Sequence, residues 1–198
     1  MKTCIHPPRG FSLVELAIVL SILGLLSIGA LSALRIQTER ARHAETRELL
    51  ADAREALLNF AAVSGHLPCP APDAGGLAAG TCSATLNKGH LPWQTLGLIS
   101  TDPWGQSLRY AVVAGFTASP TLNTKAAITV KPYFSGSEAL ALIVWSTGPD
   151  AQDGSAGEGS STVSADPAKD DQVVWVSRFI LLGRMLEAGQ DIPVGNTP

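Results

Sequence analysis

Residues 11–34 read FSLVELAIVLSILGLLSIGALSAL, and the nature of this stretch decides the fold of the whole chain. Its 24 residues hold one formal charge, Glu15. As a helix rising about 1.5 Å per residue it would be roughly 36 Å long, enough to cross a hydrocarbon core of about 30 Å with some tilt. The pattern predicts a membrane span. A short basic leader, MKTCIHPPRG, precedes it, but no small-residue A-x-A site closes the apolar run, so it differs from a secretory signal. A carboxylate near its start also sets it apart from a plain anchor.

Nothing breaks the helix after Leu34. Between Arg35 and Ala62 there is no Gly or Pro, and Ala, Leu, Glu and Arg dominate. Leu49, Leu50, Ala53, Leu57, Phe60 and Ala61 recur at three- and four-residue intervals, marking one apolar stripe. The spacing predicts that the span continues as an amphipathic half, residues 35–63, whose stripe packs on a globular domain. The helix from Phe11 to about Val63 would be roughly 80 Å long. It is expected to stop near Ser64-Gly65, where HLPCPAPDAGG begins a loop.

At 198 residues the chain has room for the span and one domain, residues 64–198, with its own core. Net charge is −3, and without Lys2 and Arg9 of the leader the remaining 12 basic against 17 acidic residues leave −5. That balance opposes nonspecific duplex binding, which requires Lys and Arg to neutralise phosphates, so no direct nucleic-acid contact is predicted. Of three cysteines, Cys4 lies in the leader, and loss of the leader leaves Cys69 and Cys82 as an even pair. An even count suits a domain that folds in an oxidising compartment, with two unlinked thiols as the alternative. Zinc is disfavoured, because only His66 and His90 lie near and the C-x-x-C spacing is missing. Orientation by charge conflicts with the cysteines: Arg35, Arg40, Arg42 and Arg47 follow the span closely, which by the positive-inside rule would keep that end cytoplasmic.

Asp102-Pro103-Trp104-Gly105 has the residues of a tight turn, with Asp at the first position, Pro at the second and Gly at the fourth. Trp93 to Ile99, before it, is a short apolar segment of either type. Ser107–Ala114, Ala127–Tyr133, Ala139–Ser146 and Gln172–Ser177 are predicted strands, the third central because ALALIVWS is nearly all apolar. Phe179–Leu186 is a predicted terminal helix. Residues 148–171 differ in texture: Gly, Ser and Ala with six acids against the single base Lys169, a long loop.

Pro8-Arg9-Gly10 followed by Phe11-Ser12-Leu13-Val14-Glu15-Leu16 closely resembles the leader junction of type IV pilins and type II secretion pseudopilins. The resemblance implies that a prepilin peptidase cuts after Gly10 and methylates the new amino terminus at Phe11, and that Glu15 is the glutamate at the fifth mature position. It also implies a cytoplasmic leader, a single inner-membrane span and a periplasmic domain, which agrees with the cysteines. Physics supports Glu15 independently. A lone carboxylate in hydrocarbon costs on the order of 2.5–3.5 kcal/mol, so it needs a partner. Cleavage would create a protonated amine at Phe11, about 6 Å away along the axis. The same amine on a staggered neighbour would set the rise of a helical filament.

The acidic loop is oxygen-rich and Gly-spaced, as a hard cation such as calcium requires, although it lacks the EF-hand pattern. It resembles the calcium-binding C-terminal loop of major pseudopilins, with Ser146, Gly148, Asp150, Asp153, Gly157-Glu158-Gly159 and Asp170-Asp171 before Trp175. Carried over by position, the ligands would be Asp150, Asp153, Glu158, Asp170 and Asp171. Ser155-Ala156 interrupts the glycine run, and about ten additional residues separate Glu158 from Asp170. No catalytic residues are predicted: His66 and His90 with Asp73 or Asp102 match neither G-x-S-x-G nor H-E-x-x-H.

The expected fold is α+β, a pilin-like lollipop in which a long N-terminal helix, transmembrane then amphipathic, packs on an antiparallel sheet. The expected role is structural: a subunit that assembles with copies of itself and other pilins or pseudopilins. An inner-membrane platform and a cytoplasmic ATPase would drive this assembly. The rival is a single-pass protein that presents a periplasmic enzyme or binding domain.

Overall fold

The computed structural model describes residues 12–82, 86–126, 128–131, 140–152, 162–164 and 171–195; for 26–34, 129, 131 and 162–164 it describes the backbone alone. Its first element, α1 (Leu13–Ser64), is one uninterrupted helix of 52 residues. Ser12 stands at its N-cap position, where its hydroxyl accepts from the amide of Val14 and its carbonyl from that of Leu16. The predicted stop also occurs: Gly65 adopts φ 75°, and its amide closes on the Ala61 carbonyl at 2.9 Å.

By its contacts the chain falls into two compact units that meet in sequence between Ala41 and Arg42. In the first unit the described side chains of α1 are exposed all round, Leu13, Val14 and Leu25 by 68–85%. Among the described residues no helix is long and apolar enough to cross a membrane. The side chains of 26–34, the second half of the expected span, lie outside that set.

In the second unit α1 turns one face inward. Leu50, Ala53, Leu57, Leu58 and Ala61 are buried in the core, while Leu49 and Phe60 of the predicted stripe are half-buried. Leu58 and Thr46 are additions to the stripe. Thr46 is fully buried because its hydroxyl donates to the Arg42 carbonyl one turn back, which satisfies it within the helix.

The sheet that covers this face has four antiparallel strands in the order β1 (Leu86–His90), β2 (Arg109–Val113), β4 (Leu140–Ser146) and β6 (Gln172–Ser177). β4 is central, as its sequence predicts, and all seven of its residues are buried, so both of its faces are covered. α3 (Arg178–Glu187) follows β6 without a linker and packs on β4 and β6. The Ser177 hydroxyl caps its start by accepting from the amide of Ile180.

One strand assignment needs correction. The segment predicted over Ala127–Tyr133 contributes β3 (Thr129–Lys131), which is not part of the main sheet; it pairs in parallel with β5 (Thr162–Ser164). The acidic segment is therefore not loop throughout. The fourth place in the main sheet belongs to β1, LNKGH, which has no apolar alternation to betray it. Its register with β2 comes from the antiparallel pairing of Leu86 with Val113 through to His90 with Arg109. Trp93–Leu96 forms one short helical turn, α2, and Ala114–Phe116 a 3₁₀ turn.

Candidate functional site

The segment from Leu67 to Ala71 is buried and runs beside β1. Ala71 and His90 exchange both backbone hydrogen bonds, at 2.9 and 3.0 Å, which extends the sheet edge by one bridge. Gly89 makes this approach possible, since a Cβ there would stand 2.6 Å from the Ala71 carbonyl oxygen. The Tyr110 hydroxyl donates to the Pro68 carbonyl at 3.2 Å from inside the core, and burial pushes its phenol well above the usual tyrosine range. Cys69 and Cys82 form a disulfide with Cα atoms 5.8 Å apart, so the pairing expected from an even cysteine count is present. Leu67 to Pro72, which matches no sequence motif, thus fastens the end of α1 to the sheet.

A second cluster stands where β4 ends. Asp102 is buried and fully engaged: Oδ1 accepts from the amides of Trp104 at 3.0 Å and Gln106 at 2.8 Å, and Oδ2 accepts from the Ser146 hydroxyl at 2.6 Å. Ser146 Oγ in turn accepts from the amide of Gly148 at 3.1 Å. The DPWG turn is therefore tied to the first residues of the acidic segment, 44 positions later in sequence. The rings of Trp104 and His43 meet in an edge-type arrangement with centroids 5.0 Å apart, and Gln172 donates to His43 Nδ1 at 2.7 Å. Because Ser146 and Gln172 are register partners in β4 and β6, both ends of the acidic segment, the DPWG turn and α1 meet here.

Of the five expected calcium ligands, Asp150 and Asp171 are described; Asp153, Glu158 and Asp170 lie outside the described residues. Asp150 is exposed and accepts from the amide of Gln152 at 2.9 Å, whereas Asp171 is buried. Among the described residues no group of three or more His, Cys, Asp or Glu side chains is placed to hold a metal. The histidines and acids considered for catalysis have separate engagements. His66 Nδ1 lies 3.1 Å from the Leu67 carbonyl, Arg109 donates to His90 Nε2 at 3.0 Å, and Asp73 accepts from the amide of Gly75. Asp102 serves its turn and Ser146.

At the other end of the chain, Glu15 sits in the first turn of α1, exposed among exposed apolar neighbours, while Gly10 and Phe11 lie outside the described residues. An N-terminal first turn suits a carboxylate electrostatically. Sequence inspection missed His43, Gln172 and the junction of Asp102 with Ser146. The signal for Asp102 was present as a turn motif, but its partner follows only from strand register.

Comparison with known proteins bears on this N-terminal region. The family model for the prokaryotic N-terminal methylation motif matches residues 6–31. No curated protein and no solved structure matches the chain significantly. From Gly10 and Phe11 through Glu15 and the apolar helix behind it, the chain carries the N-terminal methylation motif that is the hallmark of type IV pilins and pseudopilins.

Proposed function

We propose that this chain is a structural subunit of a type IV pilus-like or type II secretion pseudopilus filament, assembled through its N-terminal helix. The observation that carries this reading is the start of α1: a methylation motif that leads into apolar side chains exposed in every direction, with Glu15 among them. An all-round apolar helix surface needs either lipid or packed neighbours. The proposal uses both in turn. Before assembly, residues 11–34 anchor the subunit in the inner membrane with the leader cytoplasmic and the disulfide-bonded domain periplasmic. After prepilin peptidase cuts at Gly10, the same surface becomes the core of a filament of this chain and related subunits. Each Glu15 then pairs with the amine of a Phe11, and a platform protein in the inner membrane receives and releases the subunits.

Calcium belongs to the same proposal, held by Asp150, Asp153, Glu158, Asp170 and Asp171. Asp102 and Ser146 would not touch it but would hold the first turn of that segment. Millimolar calcium is expected to raise the melting temperature of the extracted full chain, and no shift would remove the metal.

Mass spectrometry of the membrane-extracted protein tests the core reading. The expected amino terminus is methylated Phe11, and an intact Met1 on the bulk of the protein would end the pilin assignment. Glu15→Ala should leave the domain's melting temperature unchanged while reducing filament yield at least about tenfold, the effect of about 1.4 kcal/mol at each subunit contact.

A further inference from the structure

A cavity of about 120 Å³ opens beside α1, walled by Leu49 from the helix and by Leu98, Ile99 and Leu108 from the chain between α2 and β2. Asp52 and Thr101, both exposed, stand at its mouth. Glu48 and Glu45 lie one and two turns before Asp52 on the same face of α1, also exposed, and none of the three acids has an ion-pair or hydrogen-bond partner among the described residues. Like charges at this spacing repel, and a cation brought to the rim from outside relieves them. The walls are apolar, and the space approaches the roughly 150 Å³ in which an apolar protein cavity holds benzene. One aromatic side chain with a cation beside it is the ligand that fits.

Phe179, in the first turn of α3, is such a side chain. Among the described residues it is the only exposed aromatic, and the Arg178 guanidinium lies 4.6 Å from its ring centroid. Around the ring Arg54, Arg178 and Arg184 stand against Glu55 and Glu187, and Glu55 is shared by Arg54 at 2.7 Å and Arg184 at 3.8 Å. An exposed aromatic among arginines has the composition of an interface anchor. We infer that Phe179 of one copy seats in this cavity of a neighbouring copy, an inference that rests on the filament reading above. A subunit cannot fill its own cavity. Leu181, Leu182 and Met185 are buried and fix α3 beside Arg54 and Leu58, and on a helix position 54 points about 200° away from position 52. Because ring and cavity are different patches, the contact is heterologous and repeats from copy to copy without closing on a pair, as a filament requires. Arg184 then meets Asp52 and Glu48 of the neighbour at the rim, which makes the contact salt-sensitive.

The test uses two differently tagged full-length copies with Cys4→Ser, co-expressed in membranes. One bears Thr101→Cys at the cavity mouth and the other Gly183→Cys, one turn after Phe179, where an added Cβ meets nothing within 4 Å. A short bismaleimide is expected to yield the mixed dimer. Phe179→Ala on the second copy should lower the yield at least about tenfold, and so should Leu49→Phe on the first, which fills the cavity from within. Glu48→Lys with Asp52→Lys on the cavity copy should also depress it, and Arg54→Glu with Arg184→Glu on the other copy should restore it. Melting curves establish that these variants fold, and Phe179→Ala removes only an exposed side chain. A yield indifferent to Phe179 and Leu49, no mixed dimer, a link that forms only within a chain bearing both cysteines, or capture only of a different pilin-type subunit overturns the inference. Cut and methylated Phe11 with normal filaments in those same cells would leave the filament reading standing, whereas intact Met1 without filaments would end that reading as well.

Discussion

The Ser146 hydroxyl donates to Asp102 Oδ2 at 2.6 Å inside the domain, joining a turn before β2 to the end of the central strand. The other carboxylate oxygen holds the turn itself through two backbone amides. Ser146→Ala leaves one buried lone-pair set of a carboxylate without its donor, which costs about 1–3 kcal/mol. Asp102→Ala orphans two amides and a hydroxyl, and its cost should exceed that of Ser146→Ala. Urea denaturation of both variants measures the difference, and equal midpoints would show that the carboxylate does not organise the turn.

Tyr110 provides a pH-dependent expectation. Burial raises its phenol well above the usual tyrosine range, so the folded state keeps a proton that the unfolded chain loses near pH 10. Above that pH the folded state binds more protons than the unfolded state, and stability falls as pH rises. Tyr110→Phe should cost about 0.5–1.5 kcal/mol at neutral pH, through the lost bond to the Pro68 carbonyl, and should flatten the alkaline decline. Melting temperatures between pH 8 and about pH 11 check both parts.

Gly89 is required by a neighbour, not by its own backbone angles. A methyl group there would meet the Ala71 carbonyl oxygen at 2.6 Å and Pro70 Cβ at 2.9 Å, so the bridge between Ala71 and His90 must open. Gly89→Ala is expected to destabilise by about 1–3 kcal/mol. Faster amide hydrogen exchange at Ala71 and His90 would locate the loss, whereas a change confined to residues distant from them would contradict the steric account.

The far end of α1 is closed by a residue from the other end of the domain. Gln190 Nε2 donates to the carbonyls of Ala62 and Val63 at 2.8 and 3.2 Å, groups that the helix itself leaves without partners. Gln190→Ala should cost about 1 kcal/mol and fray the last turn before Gly65. Hydrogen exchange at Ser64 and Gly65 reads this directly, and unchanged rates would mean that water replaces the amide at no cost.

Much of the molecule was legible in one dimension because the controlling interactions are local. Uninterrupted helix formers set α1, Gly65 ends it as expected, and the fully apolar run at Leu140–Ser146 identifies a strand with both faces covered. The leader junction, Glu15 and the apolar residues behind it are likewise a matter of spacing, and the family model for the methylation motif overlies that stretch. The cysteine pair was the expectation once the leader that carries Cys4 is set aside, and Cys69 and Cys82 are joined.

Other features depended on partners far along the chain. β1 has no apolar alternation and is a strand because β2 lies beside it, and β3 left the main sheet because β5 pairs with it. The Leu67–Pro72 segment acquires its role only when Tyr110 and His90 reach it. Asp102 reads as a local turn residue, yet the register of β4 and β6 places Ser146 and Gln172 side by side and so joins the turn, the acidic segment and His43 at one place. Sequence alone determined the helix, its methylation motif and the central strand, since neighbours within a few residues control them. Tertiary structure decided which strands share a sheet and which side chains surround the acidic segment, because hydrogen bonds between residues 40 to 130 positions apart exist only after the chain has closed on itself.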